Sequence, residues 1–406
     1  MKIVQINSTC GSGSTGKICV AISKLLSAYD IENYILYSIG KSDYPLGIKY
    51  MSSWETKGQA LLSRIFGNYG FQSKSATKRL IGELERIDPD IVHLHNLHSH
   101  NVHLGMLFSY FEKKKIKLYW TFHDCWAFTG YCTHYDMIGC DRWKTGCQKC
   151  PKRKHYSFFF DRSAYLYGKK KKLLAEKDIT IVTPSAWLAE QIKQSFFGGK
   201  AKTAVIHNGI DLSVFQPHSS AFRKDHGIES KFIILGVAFG WGYSKGLDVF
   251  IELSKRLNDR FQIVLVGTND LVKKSLPKNI IAIQRTENQH ELAEIYTASD
   301  LLLNPTREDN YPTVNMEAIA CGTPVLTFNT GGSPEIPDET CGAVIDCNDI
   351  DQLEQEILHI AQTHPFNREN CLKKAKEFDM HDRFKEYLDL YLEDSRYKYE
   401  KNTFLN

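Results

Sequence analysis

The chain has 406 residues, a formal net charge of +4 and a composition that is 42% hydrophobic and 24% charged. This is the composition of a soluble globular protein, and the length suits two domains of about 200 residues each. No apolar run approaches the roughly 20 residues that a membrane-spanning helix needs, and the mild charge gives no reason to expect nucleic acid. The first apolar stretch is too short for a signal peptide, so a cytoplasmic protein is expected.

Short, unbroken apolar runs alternate with helical patterns along the chain, and such runs are typical of strands buried on both faces. The first series of predicted strands covers 3–6, 34–37, 91–94, 118–122, 179–182 and 204–206, with helices at 17–29, 78–87 and 188–195. The second series has strands at 232–237, 263–266, 280–283, 301–303 and 325–328, with helices at 247–257, 291–298 and 314–320. Two such series predict an α/β protein with two doubly wound parallel sheets.

The turn-rich segment 207–220 separates the two series. We predict an N-terminal Rossmann-like domain over 1–207, with a cysteine-rich insertion at 125–155, completed by a C-terminal helix at 380–406. The second Rossmann-like domain is predicted over 208–379. Ligands of such sheets bind at the carboxyl ends of the strands, so two facing sheets would share a central cleft.

A glycine-rich loop, GSGSTGKI at 11–18, follows the first predicted strand with the spacing of a phosphate-binding P-loop. The position that would hold magnesium through a hydroxyl is Ile18, and no carboxylate clearly ends a nearby apolar strand. The segment therefore indicates a loop for close backbone approach rather than a nucleoside triphosphatase site.

The most informative segment of the second half is NPTREDNYPTVNMEAIACGTPVLTFNTGGSPE, residues 304–335. Pro312 is expected at the first helical position, where the amides of Thr313 and Val314 would point towards an anion. Glu317 lies about one turn further on, where its carboxylate could accept hydrogen bonds from both ribose hydroxyls. An ordinary surface helix with a solvated glutamate is the alternative.

From Glu308 onward this segment resembles the nucleotide-sugar site of glycosyltransferase family 4, retaining enzymes with the two-domain GT-B fold. That family has two acids separated by seven residues, the spacing of Asp309 and Glu317, although its usual first acid is Glu. The resemblance runs nearly the full length and is strongest to bacterial capsule and exopolysaccharide enzymes. It extends, in the family's order, through DIVHLHN (90–96), TPSAWLAEQ (183–191), IHNGIDLSVFQP (206–217), SKGLDVFIELSKRL (244–257) and ELAEIYTASDLLLNPTRED (291–309).

The resemblance implies how a nucleotide-sugar donor is held. Glu317 would bind the ribose, Asp309 the hydroxyls of the sugar, and Lys245 the diphosphate. Fixed donors of this kind would replace a catalytic metal. The other predicted donor contacts are Gly13, Thr15, Gly16, Arg285, Tyr311, Pro312, Thr313 and Val314.

The histidines between 93 and 123 are also covered by the resemblance. It implies that His123 lines the donor sugar, and that His95 and Asp124 lie on the acceptor side. The predicted catalytic residues are thus His123, Asp309 and Lys245, and no protein nucleophile is assigned.

A group of cysteines lies between these motifs. Cys132, Cys140, Cys147 and Cys150 fall within 19 residues and end in C-x-x-C, which fits a structural zinc knuckle. Two disulfides or four free thiols are the alternatives. The basic and aromatic segment 152–174 that follows suits a membrane surface; alternatively its aromatic residues are core and its lysines a solvated helix face.

The sequence therefore predicts a retaining, metal-independent hexosyltransferase. It would move a sugar from a nucleotide-diphosphate donor to a bacterial polysaccharide or a lipid-linked oligosaccharide, as in exopolysaccharide or capsule biosynthesis. The alternatives are a nucleotide-sugar epimerase or phosphorylase on the same fold, and a non-catalytic, zinc-bearing binding module. A cytoplasmic location is expected, and peripheral contact with the inner face of the membrane is compatible with this function.

Overall fold

The computed structural model describes residues 1–98 and 100–394, and these residues form two compact units. Unit 1 comprises residues 1–135 and 139–207 together with 383–394 at the end of the described chain. Unit 2 comprises 136–138 and 208–382. Of the predicted C-terminal helix 380–406, residues Met380–Asp394 are helical, and 395–406 lie outside the described residues.

The described part of unit 1 up to residue 207 contains seven strands and seven α-helices. The strands are β1 (Lys2–Asn7), β2 (Glu32–Tyr37), β3 (Gly47–Lys49), β4 (Ile91–Leu94), β5 (Lys117–Thr121), β6 (Ile179–Thr183) and β7 (Lys202–Val205). The helices are α1 (Gly13–Ala28), α2 (Ser53–Phe66), α3 (Lys74–Ile87), α4 (Leu104–Lys114), α5 (Arg153–Tyr156), α6 (Ser163–Leu174) and α7 (Ala186–Gln194).

The strands of unit 1 form one parallel sheet in the order β3-β2-β1-β4-β5-β6-β7. All residues of β4 and β6 are buried, as expected for central strands that helices cover on both faces. The order of strands reverses between β1 and β4. In open α/β sheets, the loops that follow two such strands form a ligand crevice.

Unit 2 contains six strands and seven α-helices, and the first three residues of a further helix, α15, also belong to it. The strands are β8 (Phe232–Val237), β9 (Phe261–Val266), β10 (Ile280–Ile283), β11 (Leu301–Asn304), β12 (Val325–Phe328) and β13 (Gly342–Ile345). The helices of unit 2 are α8 (Phe222–Asp225), α9 (Leu247–Arg256), α10 (Asp270–Ser275), α11 (Gln289–Ala298), α12 (Thr313–Ala320), α13 (Ile350–Thr363) and α14 (Arg368–Ala375). The last helix, α15 (Met380–Asp394), begins in unit 2, and its residues 383–394 belong to unit 1.

The sheet of unit 2 is also parallel, in the order β10-β9-β8-β11-β12-β13, and its order reverses between β8 and β11. Apolar residues pack against both of its faces, Ile233 and Leu235 on one and Phe232 and Ile234 on the other. Because successive residues of β8 are buried on opposite faces of the sheet, this strand appears in the sequence as an unbroken apolar run. The predicted α/β class, with two doubly wound parallel sheets, is confirmed.

Several elements were not predicted. Strands β3 and β13 are short edge strands that each begin with glycine, so their apolar signal is weak. Helices α2, α4, α6 and α13 were also missed as elements. Phe122, predicted to end a strand, lies one residue beyond β5.

Candidate active site

The switch point of unit 2 brings together two predicted site residues that are distant in sequence. Lys245 follows β8 and Asp309 follows β11, and the Lys245 ammonium donates to the Asp309 carboxylate at 2.7 Å. Lys245 Nζ also lies 3.4 Å from both the hydroxyl of Thr306 and the carbonyl of Glu308. Both partners of the ion pair remain about one quarter exposed, so a ligand can reach them. A cation and a carboxylate are thus held together where a doubly wound sheet binds its ligands.

Two features hold the loop of Lys245 against the loop of Asp309. Gly246 has φ +71°, and a Cβ on it would lie 2.5 Å from Pro305, so only glycine permits this approach. The buried Arg307 guanidinium makes two 2.8 Å bonds to the carboxylate of Asp248 at the start of α9. It also stacks 3.9 Å from the centre of the Tyr243 ring.

The start of α12 differs slightly from the prediction. Pro312 is extended, with ψ 117°, and forms the N-cap, so the helix begins at Thr313 rather than at Pro312. The displacement is one residue, and Thr313 and Val314 still occupy the first turn, whose amides have no partner within the helix. Tyr311, just before the helix, is buried.

Glu317 lies in the second turn of α12 and has a partner that was not predicted. The hydroxyl of the fully buried Tyr296, on α11, donates to a carboxylate oxygen of Glu317 at 3.0 Å. Burial, followed by the charge of Glu317, raises the pKa of Tyr296 well above its usual value, so the hydroxyl remains a donor. This bond fixes the orientation of the carboxylate.

Arg285, in contrast, is exposed and follows β10, an edge strand that is two positions from β8 in the sheet. Within residues 1–98 and 100–394, Arg285 makes no hydrogen bond or ion pair with Lys245 or Asp309. Its assignment to the donor remains a prediction.

The glycine loop of unit 1 lies at the reversal point of its sheet. Gly13 is the first residue of α1, has φ +68°, and has open space where a Cβ would lie. A Cβ on Gly16 would lie 2.7 Å from the hydroxyl of Thr9, so this glycine closes the turn. Asn7, at the end of β1, donates weakly to the hydroxyl of Thr15 at 3.4 Å. The loop thus leaves its backbone accessible at Gly13.

A chain of hydrogen bonds connects His123 to the interior of unit 1. Gln5 donates to the carbonyl of Cys19 at 2.9 Å, so its amide oxygen faces His95 Nε2 at 3.1 Å. The other ring nitrogen of His95, Nδ1, lies 3.1 Å from His123 Nε2. Burial lowers the pKa of His95 well below its usual value and that of His123 to about 4, so both rings are neutral. His95 is therefore protonated at Nε2, and His123 at Nε2.

His95 is the middle member of this chain of hydrogen bonds. Its ring is buried, and both of its nitrogens are engaged by Gln5 and His123, so it orients His123. Its place on the acceptor side remains a prediction. Asp124 has a similar supporting role. It forms a 2.8 Å ion pair with His98 and accepts the amide of Trp126 at 2.8 Å. Although burial acts in the opposite direction, this ion pair raises the pKa of His98 and lowers that of Asp124.

The structure does not support the predicted zinc knuckle. Over residues 1–98 and 100–394, no three or more His, Cys, Asp or Glu side chains are grouped so that they could hold a metal ion. Cys132, Cys140, Cys147 and Cys150 line one small cavity of about 20 Å³ as free thiols. Cys147 accepts the amide of Gly130 at 3.2 Å, and the Cys132 and Cys150 thiols hydrogen-bond to each other. The cysteines instead contribute to packing beneath this segment.

The segment after the cysteines, residues 152–174, has features of both predicted alternatives, an exposed membrane-facing surface and a helix packed on the core. Phe158, Phe159 and Phe160 are exposed, whereas Tyr167 is buried. Lys170 was expected on a solvated face, but it is fully buried, donates to the carbonyl of Trp126 at 2.5 Å, and has its pKa lowered by burial to about 7. Its long apolar stem and its carbonyl partner allow this position.

The supporting residues Tyr296, Arg307 and Gln5 were not identified from the sequence. Each acts on a residue far away along the chain, and a tyrosine within an amphipathic helix or a glutamine within a strand has no distinctive local pattern. Only the sheet order places them beside Glu317, Lys245 and His95.

Two family descriptions match the chain. Residues 59–214 match Glycosyltransferase Family 4, and residues 219–378 match Glycosyl transferases group 1. Together with the two parallel sheets, these matches define a glycosyltransferase of the group 1 and family 4 type with the GT-B fold.

Individual relatives agree with this class. The chain is 25% identical over 377 residues to the Escherichia coli protein named "Putative colanic acid biosynthesis glycosyl transferase WcaC", covering 87% of this chain and 90% of that protein. It is 26% identical over 176 residues to a D-inositol 3-phosphate glycosyltransferase of a Mycobacterium species, a match that covers 40% of each protein.

Solved structures share the fold at low sequence identity. The sucrose-phosphate synthase of Thermosynechococcus elongatus has a TM-score of 0.69 at 15% identity, over 96% of this chain and 98% of that one. Anabaena HepE, solved in complex with UDP-glucose, has a TM-score of 0.66 at 15% identity, over 96% of this chain and 100% of that one. Within residues 1–98 and 100–394, no helix has both the length and the apolar character needed to cross a membrane.

Proposed function

We propose that the chain is a retaining hexosyltransferase that uses a UDP-linked sugar and no catalytic metal. Its acceptor would be a bacterial polysaccharide or a lipid-linked oligosaccharide in exopolysaccharide or capsule biosynthesis. The colanic acid assignment of WcaC supports this acceptor class, and the UDP-glucose bound to HepE supports the donor.

The observation that carries the proposal is the contact of Lys245 with Asp309 at the reversal point of the unit 2 sheet. Lys245 would neutralise the diphosphate, together with the amides of Thr313 and Val314. Asp309, which positions the ammonium, would accept hydrogen bonds from hydroxyls of the sugar. Glu317, oriented by Tyr296, would hold the ribose.

This donor set can stabilise the charge that develops during transfer. The bond between the anomeric carbon and the diphosphate oxygen breaks, and its electron pair leaves with UDP. The acceptor oxygen bonds to the anomeric carbon from the same face, and its proton passes to the departing phosphate. Lys245 and the amides would be most valuable at this point, because fixed donors need no reorganisation as negative charge grows on the diphosphate.

Unit 1 would add to the recognition of the sugar and would bind the acceptor. Neutral His123 donates its Nε2 proton to His95, so it would accept a hydrogen bond from a sugar hydroxyl at Nδ1, and the loop of Gly13, Thr15 and Gly16 would offer backbone amides. An acceptor attached to a lipid lies at a membrane, so the proposal includes peripheral contact of this protein with a membrane surface.

A thermal-unfolding screen with UDP, GDP, ADP and dTDP tests the donor site. A nucleotide at 100 times its dissociation constant should stabilise the protein by about 2.7 kcal/mol. We expect this stabilisation with UDP, its loss in Glu317→Ala, and a marked reduction in Lys245→Ala. Lys255→Ala, which removes an exposed lysine of the same unit, is the matched control and should respond like the wild type.

Product analysis tests the reaction. UDP should be released from a UDP-sugar only when an acceptor glycan is present, and the product should keep the anomeric configuration of the donor. Conversion of the donor to another sugar without acceptor would instead identify an epimerase, and an inverted anomer would refute the retaining mechanism. No stabilisation by any of the four nucleotides would refute the donor site.

A further inference from the structure

Helix α2 exposes large apolar side chains and buries a serine, the reverse of an ordinary amphipathic helix. Its only buried residue is Ser63, whereas the side chain of Trp54 is 84% exposed and Leu61, Leu62 and Phe66 are exposed. At 100° per residue, Trp54, Leu61 and Ile65 fall within about 20° of the side opposite Ser63, and Leu62 lies on the flank of that side. The apolar stripe of this helix therefore faces solvent over a length of about 16 Å.

A second group of exposed aromatic residues adjoins the end of α2. The amide of Phe158 donates to the carbonyl of Arg64 at 2.8 Å, and the Arg64 guanidinium lies 4.7 Å from the centre of the Phe158 ring. Phe159 and Phe160 follow and are 66% and 52% exposed. We call residues 54, 61, 62, 66 and 158–160 the aromatic surface. Exposed apolar side chains on two segments that adjoin in this way mark an interaction site.

Cations lie beside the aromatic surface. Lys57 and Arg64 lie along one side of the stripe on α2, and Arg153 donates to the carbonyls of Phe158 and Phe159 at 3.3 and 3.2 Å. Lys154 and Arg162 flank residues 158–160 along the chain.

The acidic residues nearby are already engaged. Arg79 binds both carboxylate oxygens of Glu55 at 2.6 and 2.7 Å, and Asp161 accepts the amides of Cys150 and Ser163. Neutral amides leave the Asp161 carboxylate charged, but it is one carboxylate beside Lys57, Arg64, Arg153, Lys154 and Arg162, so the net charge around the aromatic surface is positive.

We propose that the aromatic surface docks on an anionic lipid membrane. Tryptophan, phenylalanine and leucine partition into the boundary between headgroups and acyl chains, and nearby lysines and arginines add attraction to anionic headgroups. A second copy of the chain fits less well, because a two-fold symmetric contact would place the same cations against each other. The inference deepens the proposed function, on which it rests for the lipid-linked acceptor, but the surface itself does not depend on the donor chemistry.

Sedimentation with lipid vesicles tests the surface in the full-length protein. We expect the wild type to bind vesicles of phosphatidylcholine with 30% phosphatidylglycerol, and to bind vesicles of pure phosphatidylcholine at least about tenfold more weakly. The doubly substituted Leu61→Ser/Leu62→Ser protein and Phe159→Ser should each bind the anionic vesicles about tenfold more weakly or worse. Leu271→Ser, which removes an exposed leucine of unit 2, should bind like the wild type.

Fluorescence and nucleotide binding complete the test. Trp54 is the most exposed tryptophan, so anionic vesicles should shift the emission to shorter wavelength in the wild type and not in Trp54→Phe. All variants should keep the stabilisation by UDP, which separates loss of docking from misfolding and from failure of the donor site. Equal vesicle binding by the variants and the wild type, or no binding to anionic vesicles, would overturn the proposal. Concentration-dependent dimers that Leu61→Ser/Leu62→Ser abolishes would also overturn it, in favour of a second copy.

Discussion

His95 Nδ1 lies 3.1 Å from His123 Nε2, and this contact sets which nitrogen of His123 carries the proton. The carbonyl of Cys19 fixes the amide of Gln5, Gln5 fixes the proton of His95, and His95 fixes that of His123. A backbone carbonyl on α1 thereby determines the hydrogen-bonding character of a predicted catalytic residue. Nitrogen-15 NMR of the histidine rings at pH 7 should find His95 and His123 neutral and protonated at Nε2.

Gln5→Glu should disturb this arrangement. A carboxylate accepts from His95 but cannot donate to the carbonyl of Cys19, and its charge would favour protonated His95. A protonated His95 donates from both nitrogens, so His123 would have to accept at Nε2 and carry its proton at Nδ1. We expect kcat to fall by at least about tenfold while UDP binding in unit 2 stays unchanged. A wild-type kcat together with a shifted His123 proton would show that this proton does not matter for transfer.

Tyr296→Phe should weaken nucleotide binding without removing the carboxylate of Glu317. The substitution deletes one hydrogen bond, typically worth about 0.5–1.5 kcal/mol, so UDP should bind about threefold to tenfold more weakly. Titration calorimetry measures this change. Tyr34→Phe, which removes a hydroxyl from an exposed contact in unit 1, serves as control and should leave the affinity unchanged. An affinity equal to that of the wild type in Tyr296→Phe would mean that Glu317 needs no orientation.

Gly246→Ala should separate the loops that carry Lys245 and Asp309. The new Cβ would meet Pro305 at 2.5 Å, in a backbone conformation that alanine disfavours, at a cost of roughly 1–3 kcal/mol. Urea unfolding should show this loss, and UDP binding should weaken with it. Gly82→Ala in α3 is the control: its Cβ would meet no atom within 4 Å, so it should stabilise the protein by about 0.5–1 kcal/mol.

The buried histidines predict a stability that falls on acidification. Burial lowers the pKa of His93 to about 3 and that of His123 to about 4, and lowers that of His95 strongly, whereas unfolded histidine titrates near 6.5. Between these values the unfolded chain binds more protons, so the free energy of unfolding rises with pH up to about 7. His98 acts in the opposite direction, because its pKa is raised, but it is one group against these three and against His100 and His103, whose pKa values burial also lowers. Urea unfolding at pH 7, 6 and 5 should show a progressive loss, and a rise towards pH 5 would contradict the burial of neutral rings.

The helical stripe of α2 shows why part of the structure could not be predicted. Apolar residues at helical spacing indicate a helix with one apolar face, but the spacing does not reveal whether that face meets a core or solvent. In α3, Leu80 and Leu84 are buried, whereas Leu61 and Leu62 of α2 are exposed. The difference depends on what packs against each helix, and that is a property of the tertiary structure.

The cysteine cluster illustrates the same limit for a site. Its spacing permits four ligands, but ligation also requires that the sulfur atoms converge, and residues 132–150 bring them only to the walls of a shared cavity. Spacing along an irregular segment constrains distance in space only weakly.

By itself, the amino-acid sequence determined the α/β class, the two parallel sheets and the segment that contains Asp309 and Glu317, because burial on both faces produces unbroken apolar runs and helix starts have local signals. Only the tertiary structure decided that Lys245 meets Asp309, that Tyr296 orients Glu317, and that Gln5 acts on His123 through His95. These contacts join residues far apart along the chain, and they depend on which strands are neighbours in a sheet. Hydrogen bonding between strands and the packing of helices on both faces select that order, and no local pattern encodes it.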